Sequence, residues 1–419
     1  MNIPHTPVLD PLETRSLNLP DDVSRRCFTL PKMYLLCISM FPSKLASRGR
    51  KFIFYIYLGL MVLLEFTQVM HLVMYPMDVT KFTLILSTVS TTLQGIAKMT
   101  LLFINSRRLR VILDQCFFTF WPSSLMGNSL EASLKFSSNF VQFNMMCVTG
   151  SAAVFALGFL FKPLFDGARE LPFATWLPFD WRAPGIYECV YTTQVFTNLF
   201  LIILSILGHD FIFLALASNV VAQFHILSRM VDELGSGRDR ELNTMLLSLE
   251  GVVEGKKYSE EQQLLVKIIA HHQKLLFICE EMENIFSPTL FVQLATSLVA
   301  ICVSSFLLTA VDEVEVDQLY QLASYCLGHV LQLFIICAAG SEMSHLSFSF
   351  SHNVYTCYWY RHKYTEIRKA LVLVILRAQR AVRVTALGVF EMNYETFVAV
   401  MRLSFSFYTL LTGIIENME

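Results

Sequence analysis

The chain has 419 residues, of which 54% are hydrophobic and only 16% charged, with a mean hydropathy of +0.51 and a formal net charge of −2. A soluble globule of this length cannot hide so much apolar surface, so the composition excludes the soluble classes and points to an integral membrane protein.

An α-helix rises about 1.5 Å per residue and crosses a hydrocarbon core of about 30 Å in roughly 20 residues. Seven apolar stretches reach that length: Phe52 to Met74, Phe82 to Ile104, Val141 to Phe161, Val190 to Val221, Pro288 to Val311, Leu319 to Ala339, and Phe397 to Ile415. Alternating short strands are absent from the sequence, which argues against a membrane β-barrel. The expected fold class is all-α integral membrane, with seven transmembrane helices.

Residues 1–51 form a polar, proline-containing segment in which Arg25, Arg26, Lys32 and Lys44 precede the first span. This is not the pattern of a cleavable signal, and the first span is its own insertion signal. Residues 52–221 hold the first four spans. Glu65 lies near the middle of the first, where it faces Gln68, His71 or a hydrated cavity, alternatives that remain open. Lys98 stands close enough to the cytosolic end of the second span to snorkel there, and Arg402 does the same in the last.

The fourth stretch is too long for lipid alone. At about 1.5 Å per residue, His209 and Asp210 fall roughly 30 Å below Val190, at the expected level of the cytosolic headgroups. The apolar run Phe211 to Leu216 continues below them and has to be covered by protein. Residues 222–287 supply a glycine-rich connector, Leu234 to Lys257, and then an amphipathic helix from Gln262 to Ile285. Spans five and six occupy 288–339. Residues 340–392 contain a second amphipathic helix, Tyr364 to Val382, with Ile367, Leu371, Val374, Ile375 and Ala378 as its apolar stripe. The last span and C-terminus take 393–419.

Lys and Arg number 26 in the segments placed on the cytosolic side and 4 on the other, with 2 inside spans. By the positive-inside tendency the N-terminus is cytosolic and the C-terminus, after seven crossings, extracellular. A G-protein-coupled receptor has the opposite orientation. The ten cysteines show no paired spacing and imply neither a disulfide framework nor a zinc site. No Ser-centred elbow, His-Glu-x-x-His or glycine-rich phosphate loop is found, which argues against an enzyme. His271 and His272 read as a solvated or packed pair. No cofactor and no nucleic-acid partner is expected. A secondary transporter would need related halves, which seven spans in unequal groups do not provide.

The C-terminal region carries an ordered set of motifs. Arg377, Ala378, Gln379 and Arg380 end a basic helix, a connector follows with Gly388 and Phe390, then Tyr394-Glu-Thr-Phe397 opens a helix that reads Ser404-Phe-Ser-Phe-Tyr-Thr-Leu-Leu411. This order resembles the C-terminal signature of insect odorant receptors. The resemblance is specific from about Tyr358 to Leu411 and diffuse before it, and Ala381 departs from it where many members have proline. It implies a ligand-specific subunit of the plasma membrane of olfactory sensory neurons. Together with the obligate co-receptor, such a subunit forms a hetero-tetrameric, odorant-gated, nonselective cation channel with an intracellular helical anchor that carries most subunit contacts. The related gustatory-type homomeric channel is the alternative, although that group's usual ending is missing here.

A site for a small volatile ligand needs an outer-facing cavity with aromatic walls and a few hydroxyls. Candidates are Ser87 and Thr91 on span two, Phe155 and Phe159 on span three, Thr192, Val195 and Phe196 on span four, and Tyr320, Ser324 and Tyr325 on span six. On the last span Leu403, Phe407, Leu410 and Ile414 share one stripe. That stripe either packs on neighbouring helices or lines an apolar constriction that gates by dewetting. The resemblance, which places the family's gate at Leu410 and Ile414, favours the pore.

Overall fold

The computed structural model describes residues 27–42, 48–77, 79–126, 138–139, 141–150, 152–153, 170–183, 185–236, 259–310, 316–357, 360 and 365–416. In chain order these form α1 (Thr29–Cys37), α2 (Arg48–Met74), α3 (Val79–Ile104), α4 (Ser106–Phe118), α5 (Ile186–Val195), α6 (Ile203–Ser236), α7 (Glu260–Ala310), α8 (Val316–Thr356), α9 (Thr365–Ala378) and α10 (Tyr394–Glu416). A π-helical stretch, Phe196–Ile202, joins α5 to α6, and a short hairpin, β1 (Thr385–Ala386) and β2 (Phe390–Glu391), precedes α10. Of the expected third span, 141–150 and 152–153 are described and helical, while Phe155 and Phe159 lie outside the described residues. Most of the connector between Leu234 and Lys257 also lies outside them.

The long helices differ from the sequence-based divisions in an instructive way. The amphipathic segment from Gln262 and the span from Pro288 are one helix of 51 residues, with Pro288 inside it. At 1.5 Å per residue α7 is about 75 Å long, more than twice a hydrocarbon core. Proline removes one amide donor but holds a helical φ, and Thr289 Oγ1 donates to the Phe286 carbonyl at 2.6 Å beside it. α8 likewise runs on to Thr356. Below the level of Asp210 the run Phe211 to Leu216 is buried throughout, with Phe213 and His209 edge-on to Phe286 of α7. On α9 Ile367, Leu371, Val374 and Ala378 are buried, as their spacing requires. His271 is a packed residue: Trp121 stacks on it at 3.9 Å, and its Nε2 lies 2.9 Å from Gln223 Oε1.

The hairpin is strapped to α7. The Thr385 amide donates to Glu283 Oε2 at 2.9 Å and the Leu387 amide to Ser287 Oγ at 2.8 Å. Its turn needs positive φ at Leu387 (53°) and Gly388 (69°), and a glycine relieves the second. The hairpin also closes on α8, where a Cβ at Gly340 would stand 2.1 Å from the Met392 carbonyl oxygen. Asn393 then caps α10, its Oδ1 accepting the Thr396 amide at 2.8 Å.

One charged pair lies inside the helix bundle. Lys98 of α3 is fully buried and its Nζ lies 2.5 Å from Asp210 Oδ1 of α6. Lys98 therefore does not snorkel, and Asp210 is held inside the bundle as its partner. Two opposite charges at matching depth on neighbouring helices satisfy each other where lipid offers nothing. His209 Nδ1 lies 3.2 Å from the same Asp210 oxygen, Gln332 Nε2 of α8 donates to Oδ2 at 2.5 Å, and Gln94 Nε2 of α3 donates to Gln332 Oε1 at 3.4 Å. By contrast Glu65 Oε2, both amide atoms of Gln68 and His71 Nδ1 are buried without a hydrogen-bond partner.

Two outcomes follow. Gly340→Ala forces the hairpin off α8 and should cost about 1–3 kcal/mol, the usual range for overpacking, seen as a lower melting temperature of the purified protein. Lys98→Met strands the Asp210 carboxylate and should cost about 3–5 kcal/mol, whereas Lys98→Met with Asp210→Leu should recover most of that loss in the same melting assay.

Candidate functional site

Ser87, Ser90, Thr91, Gln94 and Lys98 recur at helical spacing, so α3 presents them on one face. Hydroxyls are tolerated in a membrane helix when they donate back to its own carbonyls. Here Ser87 Oγ donates to the Leu84 carbonyl at 2.6 Å, and Ser90 and Thr91 both reach the Ser87 carbonyl, at 2.8 and 2.9 Å.

Tyr325 of α8 meets this face. Its hydroxyl donates to the Ser87 carbonyl at 2.8 Å and lies 2.9 Å from Thr91 Oγ1 and 3.3 Å from Ser90 Oγ. Three hydroxyl donors thus converge on one carbonyl oxygen that already accepts the Thr91 amide of its own helix. With only two lone pairs there, hydroxyl hydrogens are left over for the tyrosine oxygen or for an acceptor brought from outside. The Tyr325 ring packs edge-on against His329 at 4.7 Å, and His329 Nδ1 lies 3.4 Å from Ser297 Oγ of α7. About one turn above the hydroxyls, Phe306 and Leu307 of α7 and Leu322 of α8 form a buried apolar cluster with Leu84 and Val303 against it. The arrangement is a small polar patch under an apolar cap, between α3, α7 and α8.

The other sequence candidates are dispersed. Ser324 is half-buried beside Tyr325, and the Tyr320 side chain lies outside the described residues, as do Phe155 and Phe159. Val195 is buried with Leu199 against Phe173, Tyr191 and Ile203. Thr192 is on the exposed side of α5, its hydroxyl satisfied by the Glu188 carbonyl at 2.6 Å. Phe196 is also exposed and stacks on Phe200 at 5.4 Å. The segment from Phe173 to Trp176 closes over this end: Gln194 accepts the Phe173 amide and donates to Thr175, and the Trp176 amide donates to the Thr67 carbonyl of α2. Ser90, Ser297 and His329 were not singled out in the sequence. Their signal is spacing, since Ser90 shares the face of Ser87 and His329 follows Tyr325 by one helical turn.

On α10 the buried side carries Val400 and Ser404, with Cys302 Sγ of α7 lying 3.9 Å from the Ser404 carbonyl oxygen. Leu403, Phe407 and Leu410 lie about a quarter turn away and are 45%, 44% and 58% exposed. The chain's own helices leave that stripe largely uncovered. The side chain of Ile414, its fourth member, lies outside the described residues.

Comparison with known proteins accounts for this architecture. Residues 78–405 match the family model described as 7tm Odorant receptor. The chain is 26% identical over 345 residues to putative odorant receptor 85e of Drosophila melanogaster, covering 74% of this chain and 72% of the relative. It is 24% identical to odorant receptor Or1 of Anopheles gambiae, over 60% of this chain and 62% of the relative. Among solved structures, the olfactory receptor OR5 of Machilis hrabei in complex with eugenol superposes with a TM-score of 0.78 at 16% identity, covering 93% of this chain and 98% of that one. A second structure of the same receptor gives a TM-score of 0.74, covering 92% of this chain and 97% of that one. With the fold and most of its length matched by that family, this chain is a member of the odorant receptors and has their seven-transmembrane fold.

Proposed function

We propose that this chain is a ligand-specific odorant receptor subunit. It binds small volatile organic molecules in the outer half of the helix bundle and, with the obligate co-receptor, forms a ligand-gated nonselective cation channel. The observation that carries the reading is the Tyr325, Ser87 and Thr91 cluster beneath the apolar cap of Phe306 and Leu322. Such a site suits a mostly apolar molecule with one hydrogen-bond acceptor, which takes the surplus hydroxyl hydrogen. The similarity to a receptor solved in complex with eugenol supports a ligand of that size class.

The uncovered stripe of Leu403, Phe407 and Leu410, continued in sequence by Ile414, lines the pore at the meeting of subunits, where apolar rings close a channel by dewetting. The charge asymmetry supports a cytosolic N-terminus and an extracellular C-terminus. The lower parts of α6, α7 and α8, with α9, then form a cytosolic anchor, and the receptor works in the plasma membrane of olfactory sensory neurons.

The direct test is voltage clamp of cells expressing the chain with and without the co-receptor under a panel of small volatiles. A ligand-evoked cation current confined to co-expressing cells is the expected result, and current from the chain alone would favour a homomeric channel. Tyr325→Phe keeps the ring and removes the hydroxyl. Ligands with an acceptor group should lose about 5- to 20-fold in potency relative to hydrocarbon analogues of the same shape, measured as a ratio of EC50 values.

A further inference from the structure

α3 and α8 are joined twice. The upper join is the Tyr325 hydroxyl on Ser87 and Thr91, at 2.8 and 2.9 Å. About two turns lower on α8, Gln332 accepts from Gln94 of α3 and donates to Asp210 Oδ2, so the lower join takes in α6 and, through the carboxylate, Lys98. Still lower, α8 seats the start of α10. Ser341 Oγ accepts the Tyr394 amide at 3.0 Å, and the bare Cα of Gly340 faces the Met392 carbonyl. One helix thus carries, in order, a group of the ligand site, a group on the buried ion pair, and the seat of the helix that bears the Leu403 stripe.

We infer that Gln332 is a positioning residue for channel opening: it latches α8 to the Lys98–Asp210 pair in the ligand-free state and lets go when a ligand engages Tyr325. This rests on the reading of the Tyr325 site and of α10 given above. The tyrosine has one hydroxyl hydrogen, which cannot serve the Ser87 carbonyl and a ligand acceptor together. A ligand that takes this hydrogen therefore weakens the upper join, leaving the Tyr325 oxygen only as an acceptor for Thr91 or Ser90. With the upper join weakened, the Gln332 bond to a carboxylate is the stronger kind of hydrogen bond still holding α8 in place. When it breaks, Asp210 keeps Lys98 and His209, so the released state strands no charge in the membrane. Movement of α8 then carries Gly340 and Ser341, and with them the first turn of α10.

The test uses the full chain with its co-receptor and a ligand that evokes current from the unmodified receptor. Gln332→Met keeps side-chain length and removes the amide. The expected result is a raised ligand-free current and an EC50 lowered about tenfold, with the potency ratios among ligands unchanged, because the substitution acts on the closed-to-open equilibrium and not on ligand contacts. Normal ligand-free current and EC50 at normal surface level would overturn the latch, and so would a raised EC50 with reduced maximal current. If Gln332→Met does not reach the surface, Gln94→Met removes the α3 side of the same join, and the same two readouts decide, with a smaller shift in the same direction expected. Failure of every ligand on the unmodified receptor would instead defeat the reading of the site, and the latch with it.

Discussion

The absence of water from the hydrocarbon core is the constraint on which this molecule is organised. A polar side chain within the bundle is costly unless it finds a partner on a neighbouring helix or on its own backbone, and Glu65 and Gln68 stand out because, among the described residues, they do not. Lys98 and Asp210 are the strongest case, a cation and an anion with both side chains turned inward and two further side chains bonded to the carboxylate. Because each partner comes from a different helix, the pair specifies which helices are neighbours, which hydrophobic contact among leucines and phenylalanines does only weakly. A buried pair of this kind adds little net stability against well-packed apolar residues. Its value lies in the arrangements it forbids.

The same constraint explains the hydroxyls of α3. Each bonds a carbonyl of its own helix, so the face from Ser87 to Thr91 is polar without being costly, and in the proposed site it leaves hydroxyl hydrogen within reach of a ligand acceptor. The apolar residues one turn above fit the small, mostly hydrocarbon ligand proposed for that site.

Much of the architecture was legible in the sequence, because spans are set by apolar length and amphipathic helices by stripe. Ile367, Leu371, Val374, Ile375 and Ala378 were read as the inner face of α9 from spacing alone; four of them are buried and Ile375, at the edge of the stripe, is half-buried. What could not be read was lateral arrangement. Depth along each helix put both Lys98 and Asp210 toward the cytosolic ends of their spans, but nothing in one sequence says that α3 and α6 touch, so their pairing was missed. Within the candidate site, Ser87, Thr91 and Tyr325 meet because the polar face of α3 turns toward α8. Thr192 of α5 and Phe196 of the π-helical stretch lie where polar and apolar residues are mixed without one clear stripe, so periodicity does not distinguish a protein-facing from an outward side. Pro288 suggested a boundary that the helix passes through, since proline ends a helix only where its ring and missing donor meet no accommodation.

The π-helical stretch between α5 and α6 bears on how such a receptor can change. Its i→i+5 pattern accommodates more residues per turn than an α-helix does, so it stores slack in an otherwise continuous rod. Conversion of Phe196–Ile202 from i→i+5 to i→i+4 bonding would tighten that turn, shift the register by one residue and rotate α5 by about 100° relative to α6. Everything from Ile203 downward, Asp210 included, could stay in register while a new set of side chains swung toward the interior at the top. The stretch is thus a swivel at which the outer end can be re-faced without disturbing the charged interior below it.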